Sequence, residues 1–163
     1  MANTQSMCTS FLGELMLGQH QFGASTIVSR GSLTAPTTDT VKAALYLASA
    51  TINAATTVYT VTGEVSGTNY TAGGVTVTNA TAPTSTNASA TAGVGYWTPS
   101  ASIVYTTVTL STSFDTVLIY NSTQSNKAIS VHTFTAQTIT AGTLTLTMPS
   151  NTTTTALIRL ATT

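Results

Sequence analysis

The chain has 163 residues, with four basic and four acidic side chains and a formal net charge of zero. This length is enough for one domain whose hydrophobic core folds without disulfides or metals. Charged residues are 5% of the chain, against about a quarter in a typical soluble protein. Because basic residues are not in excess, we expect the chain to bind neither nucleic acid nor a membrane surface. A surface so poor in charge favours a protein that works in an assembly.

The sequence offers no pattern typical of membrane insertion or export. Threonine, serine and glycine interrupt every apolar run well before the roughly 18 residues that a membrane span needs. The first residues have no basic stretch and no cleavage site, so we expect the protein to be made and used without Sec export. Cys8 is the single cysteine. It excludes a disulfide within the chain, and we expect it to be a buried thiol.

The N-terminal segment, residues 1–22, is predicted to be a helix or arm. Its apolar residues recur at helical spacing, and Gly18 follows them as a helix end. These apolar residues are Cys8, Phe11, Leu12, Leu15 and Met16. We expect one short amphipathic helix within residues 3–19. It packs either on its own domain or on a neighbouring subunit, and the usual behaviour of terminal helices favours the first.

Residues 23–163 alternate apolar and polar side chains and are rich in threonine and valine, as half-buried strands are. The pattern predicts an all-β fold: a single β-sandwich or jelly-roll-like domain of about ten short strands, preceded by the N-terminal helix. The predicted strands are 25–29, 41–48, 57–65, 74–79, 102–111, 116–121, 128–134, 138–140, 143–148 and 155–160.

Two of these strands have informative faces. In 116–121 both faces are apolar, which predicts a strand that is covered on both sides and is either central in its sheet or at an interface. In 143–148, Leu144, Leu146 and Met148 share one face and threonines occupy the other. This alternation predicts one side against a core and one exposed ladder of threonine hydroxyls.

Turns and loops are predicted between the strands. Ala141 and Gly142 separate two alternating runs and predict a hairpin turn, so that the last three strands form a meander. Residues 34–40 are predicted to be a proline-containing linker. The low-complexity stretch 80–95 is predicted to be an exposed loop or arm that contacts a partner.

An aromatic pair, Tyr96 and Trp97, follows this low-complexity stretch. Such a pair serves either as a binding platform or as the apolar start of the next strand, since aromatic rings suit both a contact surface and a core. We favour core packing.

A catalytic site needs titratable groups that converge, and the chain has few of them. A triad built from His132 and Asp115 lacks a nucleophile elbow, and Glu64 with Asp115 is the only plausible carboxylate pair for a glycosidase. No cluster of His, Cys, Asp or Glu has the spacing of metal ligands. The glycines of residues 63–74 lack the lysine and helix of a phosphate loop and predict turns or bulges. We therefore expect no enzyme activity, no metal and no cofactor.

Three polar residues of the β segment are candidates for subunit contacts. Lys127 and Arg159 lie near otherwise neutral strands. Each either pairs with Asp115 or Glu64 across a subunit contact or protects a solvated strand edge. His132 is expected to be hydrogen-bonded at a subunit contact rather than to bind a ligand.

Four segments of the chain carry a resemblance to a known family. They read MANTQSMCTSFLGELMLGQHQF (1–22), KAALYLASATINAATTVYTVTGEVSGTNYTAGG (42–74), LIYNSTQSNKAISVHTF (118–134) and TLTMPSNTTTTALIRLA (145–161). In this order they resemble a family of small virion structural proteins of tailed bacteriophages and prophages. The first is similar to the family's N-terminus, where a short helix ends in a Gly-X-His-X-Phe-like step. The resemblance covers most of the chain and implies a component of the particle rather than an enzyme.

From the composition and the resemblance together, we expect a capsid decoration or cement protein that oligomerises on the head shell and stabilises it. The alternative is a tail, fibre or adhesin module that binds a glycan of the host surface. The expected partners are the major capsid protein or other virion proteins, and further copies of the chain in a trimer. The expected location is the virion, assembled in the cytoplasm of the host bacterium. The candidate interaction residues are Phe11, Leu15, Tyr96, Trp97, Lys127, His132 and Arg159.

Overall fold

The structure is a computed structural model that describes residues 3–16, 18–20, 22–23, 38–86 and 93–161. Its elements in chain order are β1 (Ser6–Met7), α1 (Thr9–Met16), β2 (Val41–Leu47), β3 (Val75–Thr76), β4 (Thr84–Ser85), β5 (Val94–Trp97), β6 (Ile103–Asn121), β7 (Lys127–Leu146) and β8 (Ile158–Ala161). Every described element other than α1 is a strand, so the predicted all-β class is confirmed.

The strands form two antiparallel sheets. The larger sheet has the order β1-β7-β6-β2-β3 and the smaller one the order β4-β5-β8. Side chains of both sheets belong to one hydrophobic core, which includes Trp97 and Ile158 of the small sheet with Val117 and Leu118 of the large one. Burial of this shared apolar surface is therefore what joins the two sheets.

β6 and β7 form a long hairpin at the centre of the large sheet. Asn121 pairs with Lys127 beside the turn of residues 122–126, and Ile103 pairs with Leu146 at the open end. On its other side β6 pairs with β2. Residues 116–121 are all buried, because both of their apolar faces are covered. The prediction of a central strand covered on both sides is confirmed.

The two long strands replace five of the predicted short ones. Residues 102–121 were expected to contain two strands and residues 128–148 three. The interruptions in the alternating pattern are β-bulges, since the pairing of β6 with β7 shifts register on both sides of Phe114. An extra residue in one strand changes the face that later side chains take without ending the strand.

The hairpin turn predicted at Ala141 and Gly142 is wrong, because β7 runs through both residues. Ala141 has a φ of 47°, and its N–H donates to Thr109 Oγ1 at 2.9 Å. Gly142 pairs with Val108, and a Cβ at this glycine would lie 2.8 Å from Ile139 Cγ2. The glycine therefore allows close packing inside a bulged strand, and the last three predicted strands do not form a meander.

The predicted alternation in 143–148 is confirmed. Leu144 is buried and Leu146 and Met148 are half-buried, whereas the three threonines between and before them are exposed. This face of the chain presents hydroxyl groups to solvent without any charge.

The predicted strand 57–65 is wrong. These residues form turns and make only single bridges to strands, at Val58 and at Glu64. Gly63 has a φ of 79°, a conformation that glycine adopts readily and that ends an extended segment. The side chains that suggested a strand instead make hydrogen bonds that are described below.

Other predicted strands are shortened or not described. Only Val75–Thr76 of 74–79 is a strand, and the strand predicted at 155–160 begins at Ile158. It begins late because Thr152 Oγ1 accepts a hydrogen bond from the N–H of Thr155 at 3.2 Å and forms a turn. The predicted strand 25–29 and most of the linker 34–40 lie outside the described residues.

The low-complexity stretch 80–95 is not a loop throughout. Its described parts supply β4 and the start of β5, and Thr84 pairs with Tyr96. Residues 82–86 are exposed, as expected, and residues 87–92 lie outside the described residues. Threonine, serine and glycine give this stretch no alternation of apolar and polar residues, so its strands leave no pattern in the sequence.

The N-terminal segment packs on its own chain. α1 is shorter than predicted because residues before it form β1, where Ser6 pairs with Val131 of β7. Phe11 of the helix and Cys8 just before it are fully buried, whereas Leu12 is 46% exposed. Cys8 is thus the buried thiol that was predicted, and burial raises its pKa to about 12.

Exchange of Phe11 for alanine tests how firmly the helix is docked. Phe11→Ala removes a fully buried ring, and we expect it to lower the free energy of unfolding by about 3–5 kcal/mol. Leu12→Ala on the same helix is the control and should change it by less than about 1 kcal/mol. Urea denaturation followed by far-UV circular dichroism measures both. Equal effects of the two changes would contradict docking of α1 in the core.

Candidate functional site

The seven candidate interaction residues lie in three places. Phe11, Leu15, Tyr96 and Trp97 line one groove, His132 and Arg159 line another, and Lys127 lies on the hairpin formed by β6 and β7. The structure thus brings four of the candidates together in one groove and two in another. The first groove is lined by aromatic and apolar side chains, the second contains a histidine and an arginine, and Lys127 lies apart from both.

The first place is an apolar groove of about 330 Å³ between α1 and the small sheet, named here the aromatic groove. The residues that line it are Phe11, Leu15, His20, Phe22, Pro83, Thr84, Gly95, Tyr96, Trp97, Ile158 and Leu160. Phe22 lies between the rings of Phe11 and Trp97, with centroid distances of 5.9 and 4.6 Å. These edge-to-face and tilted contacts are the geometry that aromatic rings prefer.

Trp97 belongs to the core more than to a surface. Its side chain is 2% exposed, and its Nε1 donates to Thr81 O at 2.8 Å. Core packing of this residue, the favoured interpretation, is therefore confirmed, and its ring lines the groove from within the core. Tyr96 is half-buried and pairs directly with Arg159 across the small sheet, so these two side chains share the sheet's other face.

Lys127 belongs to a buried chain of hydrogen bonds, named here the Glu14 network, which also contains Glu14, His20, Asn121 and Asp39. Lys127 Nζ and His20 Nε2 lie 2.8 Å from the two oxygens of Glu14. Asn121 Nδ2 lies 3.1 Å from His20 Nδ1 and donates to Asp39 Oδ2 at 2.6 Å. The network joins α1 to the end of β6 and the start of β7. Within the chain Lys127 therefore pairs with Glu14, and neither Asp115 nor Glu64 is its partner.

The orientation of Asn121 fixes the tautomer of His20. Asn121 Oδ1 accepts hydrogen bonds from the N–H groups of Thr123 and Gln124, so its NH₂ group faces the imidazole. His20 Nδ1 must then act as an acceptor, and the ring proton lies on Nε2, where it is donated to Glu14. Burial raises the pKa of Glu14, but the hydrogen bonds from Lys127 and His20 outweigh it and hold the pKa below 4.5.

Glu64 is enclosed by tyrosines and backbone. Its Oε2 accepts from Tyr59 Oη at 2.6 Å, and its Oε1 accepts from Tyr70 Oη and from the N–H of Gly73, both at 2.7 Å. Burial and then the hydrogen bond to Glu64 raise the pKa of Tyr59 and of Tyr70, so both hydroxyls remain donors. Glu64 thus holds the turns of residues 57–74 in place.

Asp115 forms a separate set of contacts. Its Oδ1 accepts from Asn3 Nδ2 at 2.8 Å and from Thr116 Oγ1 at 2.6 Å. Asn3 Oδ1 in turn accepts from the N–H of Ile52. Glu64 and Asp115 thus lie in different hydrogen-bond networks, each with a structural task.

His132 lines two adjoining grooves along β7, of about 370 and 320 Å³. Its Nε2 lies 3.0 Å from Ser130 Oγ, and Ser130 is buried. Burial lowers the pKa of His132 to about 4, which makes the imidazole a weak base. Asp115, the third member of the triad considered above, has Asn3 and Thr116 as its partners.

The described residues contain no group of three or more His, Cys, Asp or Glu side chains placed to hold a metal ion. Within the same ranges, no helix has the length and apolar character needed to cross a membrane.

Sequence reasoning missed most of the Glu14 network. Glu14, Asp39 and Asn121 carry no local pattern. Apart from the contact of Glu14 with His20, the contacts of the network join residues at least 82 positions apart. The one available signal was the Gly-X-His-X-Phe-like step of the resemblance, because its histidine and phenylalanine, His20 and Phe22, are both buried.

The lowered pKa of Glu14 predicts how this network responds to acid. A carboxylate whose pKa is lower in the folded chain stabilises the fold above its unfolded pKa, near 4.5, and loses that effect as pH falls further. We expect Glu14→Gln to cost about 1–3 kcal/mol at pH 7, and the difference from wild type to shrink below pH 4.5. Urea denaturation across pH measures this. A double-mutant cycle with Lys127→Met isolates the pair, and a coupling of zero would contradict it.

His132 predicts a second, separate acid effect. The unfolded chain binds a proton near pH 6.5 but the folded chain only near 4, so stability falls as pH drops through that window. Nuclear magnetic resonance of the imidazole protons should give a midpoint near 4. His132→Gln should remove the part of the pH dependence that lies between these two values. A titration midpoint of His132 near 6.5 would contradict its burial and would mean that the imidazole is solvated.

A comparison of the chain with protein-family models, with curated proteins and with solved structures finds no match.

Proposed function

We propose that this chain is a structural protein of a tailed-bacteriophage particle, and specifically a capsid decoration or cement protein that oligomerises on the head shell. The observation that carries the proposal is the placement of charge. The sequence has four acidic side chains, and all four make hydrogen bonds within the chain: Glu14, Asp39, Glu64 and Asp115. None of them is exposed.

The outer surface is consequently rich in hydroxyl groups and poor in charge. Among the described cations, Lys127 pairs with Glu14, Lys42 is half-buried and Arg159 is exposed. Burying a charge in an interface costs desolvation energy, whereas a threonine hydroxyl keeps a hydrogen bond with little penalty. Such a surface suits a protein that is covered by neighbours on several sides.

The mechanism of stabilisation follows from mass action. A protein that binds the assembled shell and not its separated subunits stabilises the shell by RT ln(1 + [L]/Kd), about 2.7 kcal/mol per site at 100 times Kd. Many copies that each bridge neighbouring capsomers add these contributions. We propose that the two sheets form a sandwich or jelly-roll-like body for this purpose, since they share one core, and that the oligomer is a trimer.

Host-glycan binding by a tail, fibre or adhesin module is the second candidate. The observation in its favour is the outer face of the small sheet, where half-buried Tyr96 lies directly across from exposed Arg159. An aromatic ring beside a guanidinium group is a surface on which a sugar can stack and form hydrogen bonds.

Cryo-electron microscopy of particles from the phage that encodes this chain tests the proposal. We expect density for many copies over the icosahedral shell. Particles that lack the chain should release their DNA at a lower temperature, and addition of the purified protein should restore the wild-type temperature. A few copies at the tail or its fibres would overturn head decoration, and glycan binding by Tyr96 would then be examined with Tyr96→Ala. Absence from purified particles would overturn both.

A further inference from the structure

The second groove lined by His132 lies along the open edges of two sheets. Its volume is about 320 Å³, and we name it the edge groove. The residues that line it are Gln5, Ser6, Met7, Ser130, Val131, His132, Ala156, Leu157, Ile158 and Arg159. Among the described strands β1 pairs only with β7, and β8 pairs only with β5. Each of these strands therefore has one edge without a partner strand in the described part of the chain.

The lining residues indicate that the groove meets strands at their edges. Successive side chains of a strand point to opposite faces of its sheet. A cavity that contacts three or four residues in a row, as this one does at residues 5–7 and 156–159, therefore faces the backbone rather than one face.

The hydrogen bonds of β1 agree with this geometry. The N–H of Cys8 donates to Ile129 O at 3.0 Å, and Met7 is opposite Ser130. Hydrogen-bonded and non-hydrogen-bonded pairs alternate in an antiparallel ladder. The N–H and C=O of Met7 therefore point away from β7, towards the open edge of β1.

In the small sheet the N–H of Thr86 donates to Val94 O on the β4 side of β5, so Tyr96 also faces β4. Its partner Arg159 therefore directs its N–H and C=O away from β5, towards the open edge of β8.

The groove has one charged side chain, and none of the four acidic side chains of the chain is exposed to pair with it. Arg159 is exposed, and its Nε donates to Thr153 O at 2.6 Å. This leaves the terminal nitrogens of its guanidinium free to receive a carboxylate. All four acidic side chains of the sequence are held in internal contacts. A second copy of the chain therefore has no exposed acidic side chain to offer to Arg159.

We propose that the edge groove binds an extended segment of a different protein, which adds as a strand to the open edge of β8 and places a carboxylate on Arg159. Backbone hydrogen bonds give such strand addition its affinity, and side-chain contacts give it specificity. Leu157, which is two residues from Arg159 and half-buried, offers an apolar contact to side chains of the segment on the same face. The inference rests on the proposed function only in taking the partner to be a protein, and it holds for a head or a tail partner alike.

Two synthetic peptides test the proposal on the full chain. One is acetyl-Thr-Val-Thr-Val-Asp-Val-Thr-Val-amide, and the other has asparagine in place of aspartate. We expect the aspartate peptide to bind about ten-fold more tightly, because a charge-assisted hydrogen bond replaces a neutral one. Fluorescence anisotropy of labelled peptides gives the affinities. Hydrogen exchange should slow at the amide of Arg159, which points away from β5, when the peptide is bound.

Matched variants assign the effect to the groove. Arg159→Gln should make the affinities of the two peptides equal, and its fold is checked by circular dichroism. Lys42→Gln removes a cation from β2, away from the groove, and should leave the ten-fold preference unchanged. Absence of binding, or an equal preference in wild type and Arg159→Gln, overturns the proposal.

Self-association is the remaining outcome. If the chain forms an oligomer in sedimentation velocity and the amide of Arg159 is already protected in it, a second copy occupies the groove and the proposal is overturned. An oligomer that leaves this amide open to exchange supports the proposal. These results are independent of the particle reconstruction, so a failure of head decoration and a failure of strand addition are distinguishable.

Discussion

The pairing of β6 with β7 is the interaction on which the other parts of the structure depend. β6 offers its free edge to β2 and β7 offers its free edge to β1, so the large sheet grows outwards from this hairpin. The turn end of the hairpin also holds the N-terminal helix, because Asn121 and Lys127 both belong to the Glu14 network. Bulges on both sides of Phe114 bend the paired strands. Ile103 and Leu146, at the open end of the hairpin, line one groove together with His132 from the other half of β7.

The scarcity of charge has a structural consequence as well as a functional one. A buried carboxylate is stable only when its oxygens are hydrogen-bonded or paired with a cation. The chain meets this condition for all four acids. Lysine and histidine pair with Glu14, and tyrosine hydroxyls donate to Glu64. Amide and hydroxyl groups donate to Asp115, and side-chain amides donate to Asp39. Some of these contacts join distant segments, since Lys127 is 113 positions from Glu14 and Asn3 is 112 positions from Asp115. The tyrosines, by contrast, lie within six positions of Glu64 and hold a local set of turns. Glu14 and Asp115 therefore act as cross-links of the fold, and the surface retains very little charge.

Strands could be predicted from the sequence where apolar and polar side chains alternate. Contacts between residues that are distant in the chain could not. The alternation in 116–121 and 143–148 correctly predicted a buried central strand and a threonine face, because the backbone period of two is a local property. The same reasoning gave a wrong turn at Ala141, because an irregularity inside β7 interrupts the alternation just as a turn between two strands would. The Glu14 network joins residues up to 113 positions apart, and no local pattern encodes such a contact. Trp97 and Phe11 were recognised as apolar, but only the fold shows that they line the same groove.

The edges of the two sheets show how a neutral chain limits unwanted association. Natural sheets commonly protect their edges with lysines, prolines or very short strands. Here charge is scarce, and the edge strands β1, β3 and β4 have only two residues each. β8 is the exception, with four residues and Arg159 at its second position. A charge at this point disfavours pairing with the neutral strands of another copy, whereas an acidic segment of a different protein gains from it. The same residue thus protects the edge from one partner and makes it selective for another.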